Sequence, residues 1–119
     1  MSRVKRSVSA RKKRRKALDR TKGFRHPYRS SYKRAKEALL KADTYAYRDR
    51  RNRKRDFRRL WITRIGAAAR QHELSYSQFM HGLKQAGIEV DRKNLADIAV
   101  NDPETFRRLS ERAREAAAA

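Results

Sequence analysis

In 119 residues the chain carries 34 Lys and Arg against 13 Asp and Glu, a net charge of +21. Self-repulsion on that scale calls for a polyanionic partner. The absence of cysteine excludes disulfides, thiolate metal sites and a cysteine nucleophile. No apolar run approaches the roughly 20 residues of a membrane span or the 7 to 15 of a signal-peptide core.

The charge is segregated. Residues 1–59 hold 25 bases and 5 acids, whereas residues 60–119 hold 9 bases and 8 acids. The first segment, with few large aliphatic residues, cannot bury enough apolar surface to offset the entropy of ordering its backbone. It is expected to be disordered or frayed when free. The second lies near the lower size limit for an independent core. Two domains are therefore expected, a basic extension over 1–59 and a small globular helical domain over 60–117.

Residues 1–22 form a basic arm containing Arg3, Lys5, Arg6 and the run Arg11-Lys12-Lys13-Arg14-Arg15-Lys16. It is expected to turn helical once its charge is neutralised. An organellar transit peptide shares this richness in Arg and Ser, but only Val4, Val8, Ala10, Ala17 and Leu18 are available for an apolar face. The basic run also has the composition of a nuclear localisation signal, which arises by chance in many basic proteins. After Lys22, the sequence Gly23-Phe24-Arg25-His26-Pro27-Tyr28 reads as a hinge, because Gly permits positive φ and Pro disfavours helix in the residue before it.

From Arg29 to Ile65 there is neither Gly nor Pro, and strong helix formers dominate. One helix from Tyr32 to about His72 is expected, with Ser30 or Ser31 at its start and a length of roughly 60 Å at 1.5 Å per residue. Tyr32, Ala35, Leu39, Ala42 and Ala46 give it a thin stripe of mostly small residues. Between Arg48 and Arg59 the stripe vanishes, and Arg48, Arg50, Arg51, Arg53, Lys54, Arg55, Arg58 and Arg59 cover every side. A helix basic all round is surrounded by phosphate or unfolded. Leu60, Trp61, Ile62, Ile65, Ala68 and Ala69 then restore an apolar face.

Three further helix starts follow. Ser75 and Gln78 have capping-box spacing with Leu74 and Phe79 as staple, and Gly87 suits the C′ position. Asp91 caps the next helix with Val90 and Leu95 as staple, and Asp102-Pro103 opens the last. The fold class is all-α, an extended basic arm and long helix leading into a small C-terminal bundle. Its expected core is Leu60, Ile65, Ala69, Leu74, Phe79, Leu83, Ile88, Val90, Leu95, Ile98, Phe106 and Leu109.

Catalysis has no foothold in this sequence. The three histidines are dispersed, His72-Glu73 lacks the second His of a zinc-protease helix, and Ser75 sits in no nucleophile motif. No phosphate-cradling Gly-rich loop is present, and no cofactor or metal is expected. The specific signal is the interleaving of bases with Phe24, Tyr28, Tyr32, Tyr45, Tyr47 and Phe57 in a segment that has no core to receive them. Such rings stack on splayed bases or lie against ribose; alternatively, Tyr32 and Phe57 pack on Ala or Leu one helical turn away. Asp49 and Asp56 are spaced to reach the Arg53 guanidinium together, or else form ordinary solvated pairs, and Glu37 lies between Lys33 and Lys41. Guanidinium outnumbers ammonium, which favours sites where a planar fork meets phosphate or a guanine edge.

The stretch from Tyr45 to Ile62, YAYRDRRNRKRDFRRLWI, closely resembles the signature of the bacterial large-subunit ribosomal protein twenty family. The likeness continues through Arg64-Ile65-Gly66-Ala67-Ala68-Ala69-Arg70, through Gly82 to Gly87 and through Asp91 to Ala99, with Arg3-Val4-Lys5 and Ala35-Lys36 upstream. Gly66 stands where the family usually has Asn, which predicts a locally weaker helix or a lost polar contact. Residues 25–28 differ from the small turn common after Gly23-Phe24. The resemblance implies an N-terminal extension that penetrates large-subunit ribosomal RNA, a C-terminal domain near the subunit surface, and a role in early assembly in the cytoplasm. Its implied partners are that RNA, neighbouring large-subunit proteins and, as in some members, its own messenger RNA; no membrane is implied. The candidate RNA contacts are the arm bases Arg3, Lys5, Arg6, Arg11, Lys12, Lys13, Arg14, Arg15 and Lys22, then Arg25, Tyr28, Arg29, Tyr32 and Arg34. Tyr45, Tyr47 and the eight bases of 48–59 follow, with Trp61, Arg64, Lys84, Arg92 and Lys93 in the domain. The competing class is a DNA-compacting, linker-histone-like protein, which predicts Lys, Ala and Pro repeats in a flexible tail. An RNA-modifying enzyme is a distant third.

Overall fold

The structure, a computed structural model, describes residues 5–119; Arg3 and Val4 lie outside them. Among the described residues all regular structure is helical: α1 (Ser7–Arg20), a 3-10 turn (His26–Arg29), α2 (Tyr32–Gln71), α3 (Tyr76–Gln85), α4 (Arg92–Asn101) and α5 (Pro103–Ala118). The expected all-α class and the expected long helix are both present. The chain divides into two compact units, Met1–Arg51 and Asn52–Ala119.

In the first unit the break between α1 and α2 falls at Gly23, whose φ of 88° lies in the left-handed region. His26, immediately before Pro27, also has positive φ, at 54°. The 3-10 turn carries Pro27 in its first turn, where a missing N–H costs nothing. Ser31 stands just before α2, its carbonyl accepting the Ala35 N–H at 2.8 Å. Among the described residues, what this unit buries is small: Thr21, Ala35 and Leu39.

The second unit closes each helix with a local device. Ser75 Oγ accepts the Gln78 N–H at 3.2 Å while Gln78 Oε1 accepts the Ser75 N–H at 3.0 Å, so the capping box is complete. Asp91 accepts the Asn94 N–H at 3.0 Å, and Asp102 accepts the Thr105 N–H at 3.2 Å. Gly87, at φ 72°, ends α3 with the Gly87 N–H donating to Lys84 O and the Ile88 N–H to Leu83 O. The same pair of bonds ends α2 without a glycine: Glu73 adopts φ 62°, its N–H donates to Arg70 O, and the Leu74 N–H reaches back to Ala69 O. Arg114, from α5, donates to the His72 carbonyl and so satisfies a further acceptor at that end.

The buried core comprises Ile65, Ala69, Phe79, Leu83, Leu95, Ala96, Phe106 and Ala113, with Leu74, Ile88, Val90, Ile98 and Leu109 packed against it. Phe79 and Phe106 stack at its centre, ring centroids 4.9 Å apart. One expected core residue is misplaced. Leu60 is 39% exposed, and Trp61 packs against the core in its stead. The reason is helical phase: Trp61, Ile65, Ala68 and Ala69 recur at four, seven and eight residues, whereas Leu60 falls well off that line. Small residues set the closest approach. A Cβ on Gly82 would overlap the Ala113 carbonyl, so α3 and α5 touch backbone to backbone there. Gly66 is not of this kind, because a Cβ there would meet Tyr76 Cβ at an ordinary 3.7 Å.

Candidate nucleic-acid interface

In the first unit the arm bases Lys5, Arg6, Arg11, Lys12, Lys13, Arg14 and Arg15 are all exposed. Residues 7 to 20 are one helix, so these bases point in several directions around α1. Arg14 lies over the Tyr32 ring at 5.9 Å from its centroid, a cation–π contact that ties α1 to the start of α2. A second tie is the ion pair of Arg20 Nη2 with Asp43 Oδ1 at 2.5 Å. That hydrogen bond holds the Asp43 carboxyl below its usual range, with the charges of Arg20 and Arg50 acting in the same direction and desolvation opposing them. The Arg20 guanidinium is held above its ordinary value by the same bond and by the Asp43 charge. Twenty-three residues separate the partners, so no periodic rule could have paired them.

Further along α2, Arg48 lies over the Tyr45 ring at 4.7 Å and Arg51 over the Tyr47 ring at 4.6 Å. Each ring steers a guanidinium while Tyr45 and Tyr47 stay 46% and 55% exposed. Tyr28 is exposed as well, and it lines an open cavity of about 430 Å³ with Lys41 and Tyr45. Arg25, Arg29 and Arg34 are exposed; Lys22 pairs with Asp19 at 3.6 Å and Arg34 with Glu37 at 3.8 Å.

Of the two expected arrangements for the acids within the basic stretch, the structure has the ordinary solvated pairs. Neither Asp49 nor Asp56 reaches Arg53 among the described residues. Asp49 accepts from Arg48 Nε at 3.1 Å, and Asp56 lies 3.8 Å from Arg59. Glu37 makes an ordinary helix-face pair, with Arg34 one turn before it. These contacts are exposed, and such pairs contribute little to stability. Among the described residues Arg53 has no ion-pair partner, and neither do Arg50, Lys54, Arg55 and Arg58. All eight bases between 48 and 59 are exposed.

In the second unit Phe57 stacks on Trp61, centroids 6.2 Å apart and ring planes 27° apart. The packing alternative for Phe57 was Ala or Leu one turn away; its partner one turn away is an aromatic ring. Arg53, Lys54, Arg58 and Lys93 line an open groove of about 640 Å³ with these two rings. Arg64 is exposed on α2, and Lys84 is exposed on α3. Arg92 is half-buried, its Nε–H donating to Tyr76 Oη at 2.7 Å, a bond that pins α4 to α3. The two features that residue reading missed, the Arg20–Asp43 tie and the Phe57–Trp61 platform, differ in visibility. Spacing of four on a helix could have paired the two rings; nothing in the sequence joins Arg20 to Asp43.

Among the described residues no group of His, Asp or Glu could hold a metal ion, and no helix is long and apolar enough to cross a membrane. The arrangement is one of fixed cations and exposed rings, suited to holding a polyanion and its bases. The chain matches the profile of the family "Ribosomal protein L20" over residues 3–109. It is 60% identical over 116 residues to "Large ribosomal subunit protein bL20" of Roseiflexus sp. (strain RS-1), covering 98% of this chain and 99% of that one. The protein of the same name from Thermomicrobium roseum is 59% identical over 98% of this chain and 99% of its own length. That of Rhodospirillum centenum is 58% identical over the full length of both. The chain belongs to the ribosomal protein L20 family, whose members are structural and not enzymatic.

Proposed function

We propose that this protein is a structural constituent of the large ribosomal subunit that binds directly to large-subunit ribosomal RNA and promotes early subunit assembly in the cytoplasm. The observation that carries the reading is the stretch Arg48–Arg59, where eight exposed bases cover most of the circumference of one continuous helix and leave one sector to Asp49, Asn52 and Asp56. Phosphate is the natural surrounding of so basic a surface. Residues 1–59 are the RNA-penetrating extension, and residues 60–117 are the domain that adds Trp61, Arg64, Lys84, Arg92 and Lys93. Family membership supports the ribosome as the setting and large-subunit proteins as neighbours. Its own messenger RNA is a second RNA partner, proposed on the resemblance to members that repress their own translation.

The test is sedimentation with large subunits after a salt wash that strips loosely held basic proteins, followed by crosslinking and mapping of the linked nucleotides. Retention with crosslinks from residues 48–59 into ribosomal RNA is the expected result. Recovery only with DNA would favour the compacting reading and remove this one. A companion measurement concerns order: circular dichroism of residues 1–51 alone should show little helix until ribosomal RNA is added, because the burial there is slight. A stable helix in the absence of RNA would refute coupled folding.

A further inference from the structure

We infer that the Phe57–Trp61 groove is a nucleotide pocket, in which one unstacked base of the bound ribosomal RNA lies on the exposed face of the ring pair while its flanking phosphates meet Lys93 and Arg58. The inference rests on the ribosomal RNA-binding reading above and specifies one subsite within it.

Three features of the groove point to this occupant. Its walls are four cations and two aromatic rings, with no carboxylate among them. The cations come from two elements, Arg53, Lys54 and Arg58 from α2 and Lys93 from the first turn of α4. The groove therefore draws on tertiary structure as well as on the basic helix. Finally, its rings are uncovered. Tyr32, Tyr45 and Tyr47 each carry a guanidinium over the ring, whereas no cation lies over Phe57 or Trp61 among the described residues. Phe57 is 48% exposed, while Trp61 is half-buried and packs against the core. The platform is thus anchored at its base and open at its top.

The chemistry discriminates among occupants. An apolar helix would cover the rings but strand four cations without water or counter-charge. Phosphate alone would satisfy the cations and leave the rings wet. A nucleotide does both, since every base has a π-face and every linkage a charge. The rings contact each other directly, their centroids 6.2 Å apart, within the range of an aromatic pair, so no base lies between them. The base therefore lies on the outer face of the pair.

Trp61 is the sole tryptophan, so its emission reports on this groove alone. With the full chain and large-subunit ribosomal RNA, Trp61 emission should fall as the complex forms, with complex formation read independently by sedimentation. Phe57→Leu should bind on the order of tenfold more weakly with an unchanged salt slope, since it removes a stacking face and no charge. Phe57→Tyr should restore affinity. Arg58→Gln should weaken binding and lower the slope of log affinity against log salt by roughly 0.7 to 0.9. Circular dichroism checks that each variant keeps its helices; if Phe57→Leu loses them, Trp61 emission in the parent chain and the Arg58→Gln slope still decide. Unchanged emission at saturating RNA, or parental affinity in a folded Phe57→Leu, overturns the pocket while leaving RNA binding intact. Absence of any co-sedimentation with RNA is a different result, and it removes the wider reading together with the pocket.

Discussion

Residues 1–51 carry 20 bases and 4 acids, and residues 52–119 carry 14 and 9. The first unit buries Thr21, Ala35 and Leu39, and polar ties between α1 and α2 supplement that small interior. The second stacks Phe79 on Phe106 and surrounds them with Ile65, Leu83 and Leu95. A unit of the first kind gains most of its order from what neutralises it, and a unit of the second kind from what it excludes from water. One chain thus combines a part that calls for a counter-charge with a part that completes itself. Helix α2 belongs to both, because helix propensity serves either role.

The sharpest way to break this comparison is salt. If six to ten bases meet phosphate, affinity of the full chain for ribosomal RNA should fall about 10³- to 10⁵-fold between 50 and 200 mM salt. A chain lacking residues 1–51 should bind far more weakly and with a shallower slope. Equal slopes in a filter-binding titration would show that the first unit is not the electrostatic anchor. Next in size is Phe106→Ala, which opens a cavity against Phe79 and should cost the second unit about 3 to 5 kcal/mol in urea denaturation. A loss below about 1 kcal/mol would mean that the unit is not held by this core.

Two glycines then test how tightly the second unit is packed. Gly82→Ala forces a methyl group onto the Ala113 carbonyl and should destabilise by about 1 to 3 kcal/mol. Gly66→Ala meets only Tyr76 at an ordinary distance and should stabilise by roughly 0.5 to 1 kcal/mol through helix propensity. Thermal melts that move both variants in the same direction would contradict the assigned close approach.

The smallest effect separates the units by pH. Asp43 in the first unit and Asp102 in the second are both held below the usual carboxylate range. Arg20 is the main cause for the former and the Thr105 hydroxyl and N–H for the latter. A depressed folded value means that each contribution is complete above the ordinary value of about 3.9 and is lost as pH falls through the folded value. Asp43→Asn should therefore flatten the acid limb of helix loss in the RNA-bound first unit and leave that of the second unchanged. Identical acid limbs for parent and variant would show that the Arg20 tie contributes nothing.

Much of the second unit was legible because its signals are local. Ser75 with Gln78, Asp91, Asp102 before Pro103, and Gly87 each act within a few residues of their own position, and all four stand where the spacing put them. The end of α2 was less legible, since Glu73 takes a conformation usually given to glycine and Arg114 arrives from 42 residues away. The interface divides in the same manner. Exposure of the bases from 48 to 59 followed from the absence of an apolar stripe, whereas spacing left open which partner each acid in that stretch would take. Asp49 took Arg48 and Asp56 took Arg59, because exposed carboxylates choose among several guanidinia at nearly equal energy.

By itself the sequence determined the helical class, the segregation of charge, the start of every helix after the hinge and the family, all of which depend on residues near one another along the chain. The tertiary structure decided which side of α2 is buried, Trp61 and not Leu60, since these neighbours lie about 100° apart around the helix and one of them faces the core. It also decided that Gly82 meets Ala113, that Arg20 holds Asp43, and that Lys93 joins the Phe57–Trp61 groove. Each of these joins residues whose approach is fixed by the packing of whole helices.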